Sequence, residues 1–130
     1  MENENIKVVE GYFNGQKMVG DDGEAYYITP NYVSKSRLVE GDGLKLYIQN
    51  DGSFIFKQTS PVDRKKIIAN YIGQFTAEFE GKKYRIIKES ITYYKPIIGD
   101  KCVLIIPEMV PSTWAALDNV VRNTDQDKEL

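Results

Sequence analysis

Histidine is absent from the 130 residues, which removes the commonest general base, the usual partner of an activated nucleophile and the commonest transition-metal ligand. Cysteine is nearly absent. Cys102 stands alone, so no internal disulfide can form, in keeping with a reducing compartment. Its inward place in an apolar segment marks it as a small buried hydrophobe rather than a nucleophile. CxxC, GxGxxG and P-loop spacings are missing too. No apolar run approaches the roughly 18 residues needed to span a bilayer, and the opening MENENIK is acidic rather than leader-like, so a cytoplasmic location is expected. These absences argue against an enzyme and imply no cofactor and no metal. Asp21, Asp22 and Glu24 form an acidic group, but without the spacing of a calcium loop they read as a solvated turn.

What is present suits a folded, soluble chain: 42% hydrophobic and 28% charged residues, close to globular averages. The length fits one compact domain or two very small ones sharing a core. The net charge of −2 conceals an asymmetry. Residues 1–60 carry 6 basic and 9 acidic side chains, residues 61–106 carry 9 and 5, and residues 107–130 carry 2 and 5. The middle segment is therefore basic, at +4, and its flanks are acidic.

Shifting the chain by 58 places Gly23-Glu-Ala-Tyr-Tyr-Ile28 over Gly81-Lys-Lys-Tyr-Arg-Ile86 and Gly41-Asp42 over Gly99-Asp100. Seven of the 26 pairs between 23–48 and 81–106 are identical without a gap, where average residue usage gives roughly one or two. Gly15-Gln16 falls on Gly73-Gln74, and Val33/Ile91, Arg37/Lys95 and Val39/Ile97 are conservative pairs. An internal duplication is the expected origin.

Within each copy the apolar residues alternate. Tyr26 and Ile28, Tyr84 and Ile86, and Leu44, Leu46 and Ile48 share the inward parity of strands with one buried face. Segment 102–106 is apolar on both faces and should be buried on both sides. Asn14-Gly15, Asp22-Gly23, Asp51-Gly52 and Glu80-Gly81 supply hairpin turns, implying a meander. The expected strands are 6–13, 16–20, 24–29, 43–49, 53–58, 73–79, 82–88 and 101–106. Ser60-Pro61-Val62-Asp63 carries the cap and proline of a helix start, with Ile67, Ile68, Tyr71 and Ile72 at helical spacing. Ser112-Thr113 similarly precedes Trp114, Leu117, Val120 and Val121. The expected organisation is a first β-barrel unit over 1–59, a linking helix over 60–72, a second β unit over 73–110, a C-terminal helix over 111–123 and a disordered acidic tail over 124–130.

The stretch from Tyr27-Ile28-Thr29-Pro30 to Leu38-Val39-Glu40-Gly41-Asp42 resembles the end of a cold-shock or Rho N-terminal OB-type barrel, once per repeat. In the second copy Lys88 replaces Pro30. The glycine-spaced basic stacking motif of cold-shock proteins is replaced by Gly23-Glu-Ala-Tyr-Tyr27, which keeps the aromatics without the lysine. Ile28-Thr-Pro30, Leu38-Val-Glu-Gly-Asp-Gly-Leu-Lys-Leu46 and Asp51-Gly-Ser-Phe-Ile-Phe-Lys57 are also similar to the swapped-hairpin units of AbrB-like regulators, which bind duplex DNA.

The fold class expected is therefore mostly β, in tandem small OB-like barrels. The OB-type resemblance implies binding of single-stranded RNA or DNA. Outward tyrosines beside cations are suited to that task, because bases stack on rings while cations track phosphate. The candidate residues are Tyr27, Tyr47, Arg64, Lys65, Lys66, Lys82, Lys83, Arg85, Tyr93, Tyr94 and Lys95. The competing expectation is a protein-interaction or structural adaptor, docking a partner through Trp114–Val121 or the apolar strand 102–106.

Overall fold

The computed structural model describes residues 6–122, which form ten strands and two short helices. Lys7–Phe13 (β1), Lys17–Gly20 (β2), Ala25–Tyr27 (β3), Pro30–Ser36 (α1), Gly43–Ile48 (β4) and Phe54–Ser60 (β5) make the first half. Arg64–Gly73 (β6), Thr76–Phe79 (β7), Lys82–Arg85 (β8), Lys88–Tyr94 (α2), Lys101–Pro107 (β9) and Ala116–Val121 (β10) repeat that order. Each half builds one antiparallel five-stranded sheet, which is open rather than closed into the barrel expected. The spatial orders are β3-β2-β1-β4-β5 and β8-β7-β6-β9-β10, so corresponding strands occupy corresponding places. The expected acidic tail 124–130 lies outside the described residues.

The repeat extends to backbone details. The shifted pairs Gly15/Gly73, Gly23/Gly81 and Gly41/Gly99 all take positive φ, and so do Arg37 and Lys95, at 49° and 53°. Each Gly-Asp pair closes a tight turn. Asp42 N–H donates to Val39 O at 2.9 Å, while the Asp42 carboxylate accepts from Val39 N–H at 2.8 Å. Asp100 and Ile97 make the same two bonds at 3.0 Å. The turn then docks on the end of the first strand, through Gly41 N–H to Phe13 O and Gly99 N–H to Tyr71 O. Both aspartates are buried, and each meets an arginine, Arg64 for Asp42 and Arg122 for Asp100, again 58 apart.

Alternation fills two cores rather than the shared one expected. Val9, Phe13, Met18, Ile28, Val33, Leu38, Leu44 and Leu46 close the first, with Ile87 reaching across from the second half. Ile67, Ala69, Tyr71, Tyr84, Ile86, Cys102, Leu104, Ile106 and Leu117 are among those closing the other. Strand β9 lies between β6 and β10 and is buried from Leu104 to Pro107, in keeping with its two-sided apolar sequence. The meander is only partial. Strands β1 to β3 follow one another, then α1 carries the chain back so that β4 pairs with the far side of β1.

Both expected helices are strands. In 60–72 the inward residues are Ile67, Ala69 and Tyr71, while Ile68, Asn70 and Ile72 face out. Ile67, Ile68, Tyr71 and Ile72 satisfy a helical and a two-residue period alike, and β-branched content with a long partner in β9 decides for the strand. In 111–123, Ala116–Val121 pairs with β9 through a bulge between Leu117 and Asn119, which lets irregular spacing bury Leu117. Trp114–Val121 is therefore no amphipathic docking helix. The true helices follow β3 and β8. Thr29 caps α1 by accepting from Tyr32 N–H at 3.3 Å, with Pro30 in the first turn, whereas α2 begins at Ile87 with no side-chain cap bond.

The acidic group of the β2–β3 turn is used locally. Asp22 accepts from Glu24 N–H and from the Tyr26 hydroxyl, a bond that lowers the carboxyl pKa and pushes the phenol up to about 12. Cys102 is fully buried, and burial followed by the Asp100 charge pushes its thiol up to about 11. The folded protein should therefore leave a thiol reagent unconsumed and titrate one thiol only after denaturant is added. Rapid reaction of the native protein contradicts this burial.

The halves meet along α1 and α2. Ser90 and Ser34 hydroxyls lie 3.0 Å apart, and Arg37 pairs with Asp118 at 2.8 Å. Glu40 accepts from the backbone N–H groups of Thr113 and Trp114. No helix among the described residues is long and apolar enough to cross a membrane.

Candidate functional site

A cleft of about 340 Å³ opens where the two halves adjoin. The first half contributes Gln16 and Lys17 at the β1–β2 turn, Tyr27 and Ile28 at the end of β3, and Pro30 and Val33 of α1. The second contributes Phe75 at the β6–β7 turn, Arg85 at the end of β8 with Ile86 and Ile87 after it, Lys88 and Glu89 of α2, and Trp114 before β10. Under the 58-residue shift these become matched positions, since Lys17 corresponds to Phe75, Tyr27 to Arg85 and Pro30 to Lys88. At two of the three, Lys17/Phe75 and Tyr27/Arg85, one half offers an aromatic ring and the other a cation, and at the third Lys88 stands opposite a proline. Matched positions of the 58-residue shift thus stand on both walls, with different side chains on each.

The rings are presented to solvent. Tyr27 is 62% exposed and Phe75 44%. Phe75 holds φ at 59°, following Gly73 and Gln74 at 91° and 54°. A bulky side chain in the left-handed region costs on the order of 1–3 kcal/mol and persists where surroundings fix it. Here Phe75 N–H donates to the Tyr71 hydroxyl at 3.2 Å, and Phe75 O accepts from Ile86 N–H at 2.8 Å. These two bonds fix the backbone in that conformation, with the ring in the cleft lining rather than in the core.

Arg85 and Trp114 are fixed as a pair. Arg85 N–H donates to Thr113 O and Ala115 N–H to Arg85 O, both at 2.9 Å, forming an isolated parallel bridge with Trp114. The guanidinium lies 4.8 Å from the centre of the indole ring, within cation–π range. The indole also rests on Gly15, where an added Cβ would stand 2.5 Å from the ring.

The sequence-predicted residues divide. Tyr27 and Arg85 join the cleft. Tyr93 and Tyr94 line a second cavity beside α1 and α2. Arg64 is committed to the buried Asp42, while Lys66, largely exposed, lies 3.1 Å from Asp118. Lys65 is exposed on β6, outside the linking helix expected for it. Lys82 lies 5.2 Å from the Tyr84 ring, and Lys83 stands opposite Glu78, both in the β7–β8 hairpin. Tyr47 sits half-buried on the outer face of the first sheet, between Val8 and Ile55. Lys95 ends α2, and its carbonyl accepts from Arg122.

Lys17, Phe75, Lys88 and Trp114 were not among the predicted residues. The 58-residue shift carries the signal for the first three, because Lys17 and Phe75 follow the matched Gly-Gln pairs. Trp114, the single tryptophan, was instead assigned to a helix face.

Compared with known proteins, the chain matches no family model, no curated protein and no solved structure.

Proposed function

We propose that this chain is a non-enzymatic protein that binds single-stranded nucleic acid in the cleft between its halves. One observation carries the reading: Tyr27, Phe75 and Trp114 line the same concavity as Lys17, Arg85 and Lys88. Rings there stack on bases, and the cations draw phosphates. A cleft of this size accepts splayed bases and is far too narrow for a duplex, which favours the single strand over the AbrB-like mode.

An OB-type architecture for each half belongs to the same reading. Five antiparallel strands per half support it, as does the bridge that brings the end of β8 beside Trp114. OB-type barrels bind oligonucleotides with their second and third strands and with the loops joining strands 1–2 and 4–5. Lys17, Tyr27, Phe75, Arg85 and Trp114 occupy those places.

The test is anisotropy of a labelled single-stranded oligonucleotide at low salt. Tyr27→Ala and Phe75→Ala should each weaken binding about 5- to 150-fold, the equivalent of one lost base stack. Affinity should fall with salt at a log–log slope of about −2, given about 0.7 per phosphate contact and three lining cations. No salt-sensitive association at low salt would refute the reading. A protein-interaction role is favoured by a different feature, Ile97 and Ile98, exposed side by side at 67% and 74%. Loss of a partner on Ile98→Asp, with oligonucleotide binding absent throughout, would select that role instead.

A further inference from the structure

The cleft shares a wall with a second cavity. Glu89 lines both, and the second, of about 260 Å³, also includes Asn31, Lys35, Arg37 and Tyr93 on the far side of the α1–α2 seam. Resting on the single-strand reading above, the geometry points to a continuous track: a strand held in the cleft passes over the helix pair and stacks a further base on Tyr93.

Tyr93 is suited to the role by exposure and by support. Its ring is 77% exposed and meets the Tyr94 ring edge to face, 4.9 Å between centres. Tyr94 is itself held, its hydroxyl donating to Asp118 O at 2.9 Å and lying 3.4 Å from an Arg37 nitrogen. A ring braced in this way is presented with little mobility to lose on binding, which is what makes a stacking platform effective. Exposure this high also means Tyr93 contributes little to folding.

The spacing is compatible with one strand. Glu89 lines both cavities, so a strand leaving the cleft meets the second without a break. Single-strand binders of this size engage about 4 to 16 nucleotides per barrel. Glu89, at the common wall, disfavours phosphate there and directs the backbone toward Lys35 on the outer side. The track departs from the faces of β2, β3, β7 and β8 and runs over the helices.

Oligonucleotide length separates this track from the cleft itself. Binding of a thymidine dinucleotide and of an octanucleotide is measured for the wild type, Phe75→Ala, Tyr93→Ala and Tyr93→Phe. Phe75→Ala should weaken both ligands. Tyr93→Ala should weaken the octanucleotide about 5- to 150-fold and leave the dinucleotide unchanged, and Tyr93→Phe should restore octanucleotide affinity. Octanucleotide binding indifferent to Tyr93→Ala, while Phe75→Ala still weakens both ligands, overturns the track and leaves the cleft reading intact. Binding of neither ligand removes both.

Discussion

Asp42→Ala should lower the free energy of unfolding by about 3 kcal/mol, read as a fall in the urea midpoint at unchanged slope. Asp42 is fully buried and accepts from Val39 N–H at 2.8 Å, Gln58 Nε2 at 2.9 Å, Val62 N–H at 3.0 Å and the Arg64 guanidinium. Removing the carboxylate strands all of these donors at once. Arg64→Met should cost less, because the carboxylate left behind keeps its other three donors. Arg64 is also partly exposed, so its charge can turn to water when Asp42 is lost. The order of the two effects is the sharper test. If Arg64→Met proves the more damaging, the ion pair rather than the turn carries the stability.

Gly15→Ala should destabilise by about 2–4 kcal/mol and disturb the junction between the halves. Gly15 takes φ at 109°, a region alanine enters only under strain, and the new methyl would collide with the Trp114 ring. Neither cost can be escaped locally. The Trp114 main chain is fixed by Glu40 accepting from its backbone N–H and by the bridge to Arg85, and the indole ring is packed against the Arg85 guanidinium, so its room to move is limited. The same change at the matched Gly73 meets only the Ile98 side chain, at 3.3 Å. Gly73→Ala should therefore carry the conformational strain without the full collision and destabilise less. Urea titration of both variants, with Trp114 emission followed in parallel, gives the comparison. An equal effect at the two glycines would show that the indole yields easily.

These two changes act on features that were visible in different degrees before the fold was known. The Gly-Asp turns and hairpin glycines were legible because positive φ favours glycine, and the repeat made most of these signals appear twice. Strand parity was legible wherever alternation was strict, as in Leu44, Leu46 and Ile48. It failed in 64–73, where Ile67, Ile68, Tyr71 and Ile72 fit both periods and a proline-led start imitated a helix. The start that mattered was Thr29-Pro30, the same chemistry ahead of β4 and β5. Helix α2 gave no such signal, since Lys88 stands where α1 has its proline and Ile87 where α1 has its capping threonine.

The candidate site was legible only in part for a related reason. Tyr27 and Arg85 drew notice as an outward aromatic and an outward cation, yet nothing along the chain places them on opposite walls of one cleft. That follows from the two halves packing helix to helix. A charge count along the sequence does not distinguish a cation facing solvent, as Lys65 does, from one paired with a buried carboxylate, as Arg64 is with Asp42. The basic middle segment is therefore a weaker guide than the ring-for-cation exchange across the repeat.

The single tryptophan stands in the cleft and makes the most direct measurement possible with the unmodified chain. Titration of a single-stranded oligonucleotide at low salt, with Trp114 emission as the signal, should give saturable quenching that reverses on adding salt and shifts to about 5- to 150-fold higher oligonucleotide concentration in Phe75→Ala. Emission indifferent to the oligonucleotide, with the protein folded, would contradict the cleft as the binding site.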